Sequence, residues 1–559
     1  MKKVCFLLFT AALFSVPGGI AWAGPANGSP ATLSFRSSVS LSDHAGHPAV
    51  NDSVKNITLA FSAPLDPKTV PGGVKLSRLT PGGEQEEPFV AAVDKKTPTL
   101  LLVSRKDGTR FAEGEAYKIT ISDKVRSKGK NSLAKEFTGY FAVDHSFALG
   151  ENGLAGLNSE RSLIVCISDL HLGMDDRYAE CVENREPLLN FLGKIRLAPN
   201  VKELVIAGDL VDEWFIPAGI DTYSGGTQRD FVEKLAANNQ SVMGAFNNII
   251  RDGKIKVTYV PGNHDLRITA EDIQSILPGI SQARDVKGLG AYSPEGHPEM
   301  IIEHGHRYNY FCAPDPISNR SIAPGSILPP GYFFTRIATA SVVQGHPTAG
   351  GTMRAVTANN LGESQKNMFI YWNVWKEMML ELPVKEGFDD KIIVTNIDGF
   401  TEKYSINDLM PYQVLPGGLI EVNLFRGMQE TWDERQALNK VAVKVPLEEA
   451  IARAADAREM DHQAVVQYFT NPASDKRIVI MGHTHDARIV PSENHAGQKT
   501  IYANSGTWID KNGSLPTTTF VVVAPQKGKD SAPTYVGLYH YSQSGDITKI
   551  DAQAITNLK

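Results

Sequence analysis

Five times between residues 162 and 485 a short apolar, β-branched run stops at a cluster of Asp, His, Asn and Gly. The runs cover 162–167, 203–207, 254–260, 300–303 and 477–481. They lead into Ser168-Asp169-Leu170-His171-Leu172-Gly173, Gly208-Asp209-Leu210-Val211-Asp212, Gly262-Asn263-His264-Asp265, His304-Gly305-His306 and Gly482-His483-Thr484-His485. Helical patterns at 186–197 and 228–252 separate the early runs. Strands alternating with helices predict an α/β domain whose strands are largely parallel. In an open sheet of this kind the carboxyl ends of the strands converge on one edge, where ligands bind. Motifs far apart in the chain can therefore share one pocket. Runs at 517–523 and 534–541 read as late strands of a second sheet.

Residues 24–146 follow a different rule. Ile57-Thr58-Leu59-Ala60-Phe61 and Tyr117-Lys118-Ile119-Thr120-Ile121 alternate apolar and polar, the period of a half-buried strand. Further short strands at 99–103 and 140–143, with turn clusters such as Pro71-Gly72-Gly73, predict a small all-β sandwich. The run from Ile57 to Asp66 resembles the bacterial Ig-like domains of exported proteins. No motif that carries chemistry lies here, so a spacer or packing role is expected. Residues 147–160, with Gly150, Gly153 and Gly156, read as a linker to a domain spanning 161–559.

The chain begins with Lys2-Lys3, an apolar run over 4–16 and Ala21-Trp22-Ala23. That is the pattern of a secretory signal over 1–23, cleaved to leave Gly24 as the mature start. The apolar run is short of the roughly 20 residues that a bilayer span needs, and Pro17-Gly18-Gly19 interrupts it. A periplasmic or secreted location follows as an expectation. Loss of both lysines moves the formal charge from −6 to −8, which argues against a nucleic-acid partner held through its phosphates. No later apolar run is long enough for a transmembrane segment. With 42% hydrophobic and 21% charged residues the chain can bury large cores. Cys166, Cys181 and Cys312 remain after the leader, an odd number without a Cys-x-x-Cys pair, which speaks against a disulfide framework.

The residue types in the five motifs fit divalent transition metals, because imidazole and carboxylate suit Zn, Fe and Mn. Asp169 and His171 are one residue apart, as are His483 and His485, so each pair can turn toward one point. The glycines allow sharp turns and close approach of backbone. A single Asp-x-His or His-x-His is usually surface or capping chemistry; five such clusters, each tied to a strand end, are a site.

In order and residue type the five motifs resemble the calcineurin-like metallophosphoesterase superfamily, over about 160–305 and 475–510. The resemblance implies an α/β sandwich with two metals at strand ends, behind the Ig-like sandwich. It implies that Asp169, His171 and His485 hold one ion, that Asn263, His304 and His483 hold the second, and that Asp209 bridges them. His264 would contact the substrate phosphate and help the leaving group, with Asp212 and Asp265 behind it and Asp265 orienting its ring. Two such ions can clamp a phosphoryl oxygen and stabilise in-line displacement. His306 can either bind substrate or support the ligands.

Within the superfamily, Ser-Asp-Leu-His-Leu and the stretch from Gly208 to Trp214 resemble UDP-diacylglucosamine pyrophosphohydrolases. Those proteins resemble cytoplasmic ones and tend to lack a histidine at the place of His264. The implied substrate is a small phosphate ester or pyrophosphate, nucleotide or lipid-linked. A nuclease, or an envelope protein with a vestigial metal site, are the rival readings. A stretch at about 307–474 interrupts the strand series between ligands His304 and His483 and reads as a cap. It carries a helix over 363–382 with Met368, Trp372, Trp375, Met379 and Leu382 on a core-facing stripe, and a second helix over 448–458.

Overall fold

The computed structural model describes residues 33–143 (apart from 38, 40, 42–48, 52–54, 81, 82, 113 and 114), 161–525 and 533–555. The leader and the linker expected at 1–23 and 147–160 lie outside them. Two compact units form: the larger holds 161–523 and 538–548, the smaller the rest of the described chain.

In the smaller unit the alternating runs become strands of two sheets. One has the order Phe35–Ser37, Asn56–Phe61, Leu100–Arg105, Phe89–Val93. The other runs Ala49–Asn51, Phe137–Val143, Ala116–Ile121, Val74–Thr80, Gly83–Glu86. The inward residues of both, Ile57 and Leu59 from one and Tyr117, Ile119 and Phe141 from the other, share a single apolar core. Period-2 patterning therefore does its expected work, and this unit is an all-β sandwich.

In the larger unit the first three motif strands, β1 (Leu163–Ile167), β2 (Val201–Ala207) and β3 (Lys256–Val260), are parallel neighbours in one sheet. The fourth and fifth, β4 (Met300–Glu303) and β5 (Ile478–Met481), are parallel neighbours in another, followed by β6 (Lys499–Asn504). Apart from exposed Lys202 and Lys256 their residues are buried, on both faces, which is why they read as largely apolar runs. The late strands β7 (Thr519–Ala524) and β8 (Thr534–Tyr541) do not build the second sheet. They extend the first, with β7 antiparallel to β1. The second sheet comes instead from β4, β5 and β6, so the five motifs are shared between two sheets rather than strung along one edge.

The single helix expected over 228–252 is two, Gln228–Asn238 and Gln240–Asp252. The break has a local cause. Asn239 turns its amide back to the Leu235 carbonyl (2.9 Å) and across to the Gly173 carbonyl (2.8 Å). This pins the end of the first metal motif to the helical layer. The first helix starts at Thr227, whose hydroxyl and Asp230 form a capping box.

The stretch between His304 and His483 packs as core. Helix Glu363–Glu381 buries Met368, Trp372, Trp375 and Met379, and Trp375 lies stacked on Phe334 of helix Pro330–Val343. The second helix expected there is shorter, Leu447–Arg453, and is followed by Glu459–Ala464. Arg336, fully buried, ties this stretch to the loop after Asp212. It donates to the carbonyls of Ile216 (2.7 Å), Pro217 (3.1 Å) and Val394 (3.0 Å) and to Thr222 Oγ1 (2.7 Å). Arg336→Met strips several buried acceptors of their donor at once. Each unsatisfied group costs about 1–3 kcal/mol, so urea denaturation should show a loss of at least about 3 kcal/mol, with no comparable loss for an exposed Arg320→Met control.

Candidate metal centre

Each motif leaves its strand by an abrupt turn. Asp169 (φ 52), His171 (φ 46), Asp209 (φ 49), His483 (φ 70) and His485 (φ 56) all take left-handed backbone. Such a conformation is uncommon for residues with a Cβ, although Asp and His tolerate it best. It persists because the loops are bonded to one another. Asp169 N–H donates to the Gly208 carbonyl (3.1 Å), and His171 N–H to the Asp209 carbonyl (3.0 Å). His264 N–H donates to Asp209 Oδ1 (2.8 Å), and Gly482 N–H to the His304 carbonyl (3.2 Å). The motif glycines are required by contact, two of them against ligand carboxylates. A Cβ on Gly262 would stand 2.1 Å from Asp209 Oδ1, and one on Gly482 would stand 2.3 Å from Asp169 Oδ2.

The seven expected ligands come together. His485 Nε2 lies 3.1 Å from Asp169 Oδ1 and 3.1 Å from His171 Nε2. On the other side His304 Nε2 lies 3.0 Å from Asn263 Oδ1, and His483 Nδ1 lies 2.8 Å from the same oxygen. Asp209 Oδ2 stands between the two groups, 3.1 Å from His304 Nε2 and 3.6 Å from His171 Nε2. An ion with bonds of about 2.0–2.2 Å to N and O holds neighbouring donors about 2.9–3.5 Å apart. The donor set and its spacing therefore fit two transition-metal ions with Asp209 shared.

Hydrogen bonds behind the ligands fix which imidazole nitrogen faces inward. His304 Nδ1–H donates to the Ala207 carbonyl (2.9 Å) and His171 Nδ1–H to Asp212 Oδ2 (2.8 Å), leaving each Nε2 lone pair for the centre. Asp212 also receives His264 Nδ1–H at 2.9 Å. Here the geometry departs from expectation. Asp265 does not orient His264: its carboxylate folds back on its own turn to take Gly262 N–H (2.6 Å) and reaches Leu210 N–H (2.8 Å). It locks two loops, and the orienting carboxylate is Asp212. Trp214 adds a face to the same ring, stacked at 4.9 Å between centroids. His306 supports rather than contacts: it is buried, with Nε2 bonded to the Gly288 carbonyl at 3.0 Å.

The acids and imidazoles act on one another's charge. Burial pushes Asp169 up, but the charges of His304 and His485 outweigh it and hold the acid well below the usual range. Asp209 and Asp212 are held down in the same way, against burial, chiefly by His304 and His264 respectively. Burial pulls His304 down, yet Asp209 and Asp169 raise it to about 9. His483 falls to about 3 through burial and the charge of His304. Burial and Asp209 push Asp265 up to about 6. Burial pulls His264 down, but Asp212 and Asp209 together keep it raised.

A cleft opens over the centre, lined by His171, Asp209, Asn263, His264, His483 and His485. Glu180, Phe215, Cys312 and Thr335 complete its wall. Motif reading missed these four, because they lie in loops and helices with no recurring spacing. Glu180 brings a carboxylate 3.5 Å from His171 Nδ1, and burial pushes its acid up.

Residues 162–487, more than half of the chain, match the family described as calcineurin-like phosphoesterase. The protein belongs to that family. A stretch of 112 residues is 30% identical to the DNA polymerase II small subunit of Methanothermobacter thermautotrophicus. It covers 19% of this chain and 22% of that protein's length. Among solved structures, the S-layer protein rSbsC is similar over 17% of this chain and 13% of its own, at 14% identity and a TM-score of 0.14. Native alpha-2-macroglobulin of E. coli is similar over 25% of this chain and 7% of its own, at 14% identity and a TM-score of 0.15. Scores this low bear on neither unit's fold.

Metal loading of this phosphoesterase centre should expel protons. With His304 raised to about 9, its ring is protonated at pH 7.5, and a ligand must be neutral. Calorimetric titration of metal-free protein with Mn or Zn at pH 7.5, in buffers of different ionisation enthalpy, should show release of at least one proton. The release should fade as pH rises past about 9, and apparent affinity should rise over the same interval.

Proposed function

We propose that this phosphoesterase is exported and cleaves a phosphate ester or pyrophosphate bond with two divalent ions drawn from Mn, Fe and Zn. Metal-dependent phosphoester hydrolysis is what membership of the family implies. The observation that carries the reading is the position of Asp209 between the Asp169–His171–His485 group and the Asn263–His304–His483 group. When bound, the ions supply Lewis acidity toward a phosphoryl oxygen and acidify water. The remaining work falls to the chain. Neutral imidazoles and the Asn263 amide leave the loaded centre positive, which suits an anionic substrate. His264 lines the cleft with Nδ1 committed to Asp212, so its Nε2 is available to a phosphoryl or leaving-group oxygen. Asp212 accepts Nδ1–H and with Asp209 favours the doubly protonated ring, so that Nε2–H can donate, and Trp214 holds its plane. The stretch at 307–474 would set substrate choice, since Cys312 and Thr335 already form part of the wall.

His264→Ala should keep close to wild-type metal content while losing turnover roughly 100- to 10,000-fold, the range of general acid catalysis. The loss should shrink for acidic leaving groups such as nitrophenol. Asp209→Ala should lose activity and metal together. Mass spectrometry of bound metal, beside rates for good and poor leaving groups, distinguishes the two. Loss of metal from His264→Ala would remove it from the chemistry and place it among the ligands.

Export rests on the leader pattern of Lys2-Lys3, the apolar run and Ala21-Trp22-Ala23. Among the described residues no helix is long and apolar enough to cross a membrane. N-terminal sequencing of fractionated diderm bacterial cells should find a start at Gly24 outside the cytosol; an intact Met1 in the cytosol contradicts export.

A further inference from the structure

Glu213 stands in the chain between Asp212, which accepts His264 Nδ1–H, and Trp214, which covers the same ring. Its own N–H donates to the His264 carbonyl at 3.0 Å. The residue that carries the ring and the two that hold it are therefore joined through the backbone at Glu213. The Glu213 carboxylate is fully buried and accepts the Tyr223 hydroxyl and Gln228 Nε2–H (3.1 Å). Gln228 Nε2 also donates to the carbonyl of Arg267, just after His264 in the chain (3.2 Å). The Arg267 guanidinium closes the group: Nη1 donates to the Tyr223 oxygen at 2.9 Å and lies 3.8 Å from Glu213 Oε1.

On its other side Arg267 meets the inserted stretch, with Nε 2.9 Å from Asp398 Oδ1. Asp398 takes left-handed backbone (φ 54). Its second oxygen accepts Ser326 Oγ–H (2.8 Å) and Ile327 N–H (2.7 Å). Those two residues lead into helix Pro330–Val343, whose Tyr332 meets the Trp214 ring edge-on at 6.0 Å between centroids. A path of contacts thus leaves the His264 loop through Arg267, crosses the inserted stretch and returns to the ring that covers His264. Burial pushes the Glu213 acid up, and the charge of Arg267 works against it. Burial also pulls the guanidinium down, yet Glu213, Tyr223 and Asp398 raise it. Removing one partner of such a group leaves a buried charge uncompensated.

We infer that Arg267 is a positioning residue: bound to Asp398 on one side and to Glu213 through Tyr223 on the other, it sets the place of the His264 ring over the cleft. The inference deepens the phosphoesterase reading and rests on the role given there to His264. It makes the inserted stretch part of the catalytic geometry as well as of the wall, because Asp398 and Tyr332 both belong to it. Misplacing a reacting group by about 1 Å can cost roughly 100-fold in rate. None of these contacts is made by a metal ligand, so metal content should not follow the rate.

Two variants of the full-length, metal-loaded protein test it, on nitrophenyl phosphate and phenyl phosphate, esters of similar shape and different leaving-group acidity. Arg267→Lys keeps a cation but lacks the fork that reaches Tyr223 and Asp398 together. Asp398→Asn keeps an acceptor for Ser326 and Ile327 while losing the charge beside Arg267. Each should lower kcat on phenyl phosphate roughly 10- to 100-fold and on nitrophenyl phosphate by less, with KM and bound metal close to wild type. Placed on His264→Ala, neither should lower kcat further, because the ring they position is gone; independent sites would multiply their losses. Unchanged rates, losses that multiply, losses equal for the two esters, or losses that come with shed metal overturn the inference and make Arg267 a structural residue. Should Arg267→Lys not fold, Asp398→Asn decides through the same cycle. A His264→Ala protein as active as wild type removes the role of His264 and the inference with it. A metal-loaded wild type inactive on both esters overturns the phosphoesterase reading beneath them.

Discussion

Everything at the centre depends on forcing acids and imidazoles to face each other at about 3 Å in a largely buried pocket. Two costs oppose that arrangement. One is desolvation, which alone would protonate Asp169 and Asp209 and neutralise the histidines. The other is conformational, since Asp169, His171, Asp209, His483 and His485 occupy left-handed backbone, each at about 1–3 kcal/mol. Interleaved loops offset both. Backbone donors from Leu210, Gly262, His264 and His483 all end on the carboxylates of Asp169, Asp209 or Asp265. The same bonds that charge the pocket also hold the strained turns.

That coupling explains why the glycines matter as much as the ligands. The Cβ positions of Gly262 and Gly482 are occupied by the carboxylates of Asp209 and Asp169. A larger residue would displace a ligand from across the pocket rather than merely crowd its own loop. The ligand geometry thus belongs to pairs of loops, each drawn from a different strand and two of them from a different sheet.

Much of this was legible in the sequence. Ligands announce themselves because metal chemistry admits few residue types, and because each follows a strand that a run of buried β-branched residues makes unmistakable. The sandwich core was legible through period 2 at Ile57, Leu59, Tyr117 and Ile119. What was illegible depends on tertiary partners. Nothing local says that β7 pairs with β1, or that β4 and β5 leave the first sheet. Asp212 and Asp265 look alike in their motifs; only the approach of the His264 ring separates them. Asn239 reads as an ordinary helical residue until the Gly173 carbonyl is beside it.

The pocket wall shows the same division on a larger scale. The floor is assembled from five strand ends and is chemically generic, able to serve any phosphoryl group that reaches it. Glu180 from one loop, Cys312 and Thr335 from the inserted stretch, and Phe215 after the second motif make the wall, and none belongs to a repeating pattern. Arg336 carries the mechanical link between them, because its guanidinium joins the loop at 216–222 to the inserted helix through the Ile216 and Pro217 carbonyls and the Thr222 hydroxyl. A backbone carbonyl is present whatever the residue type, so side chains on that loop other than Thr222 can vary without loosening the joint. The wall and the metal loops are thus held by different bonds, so side chains of the wall can change while the metal geometry stays where it is.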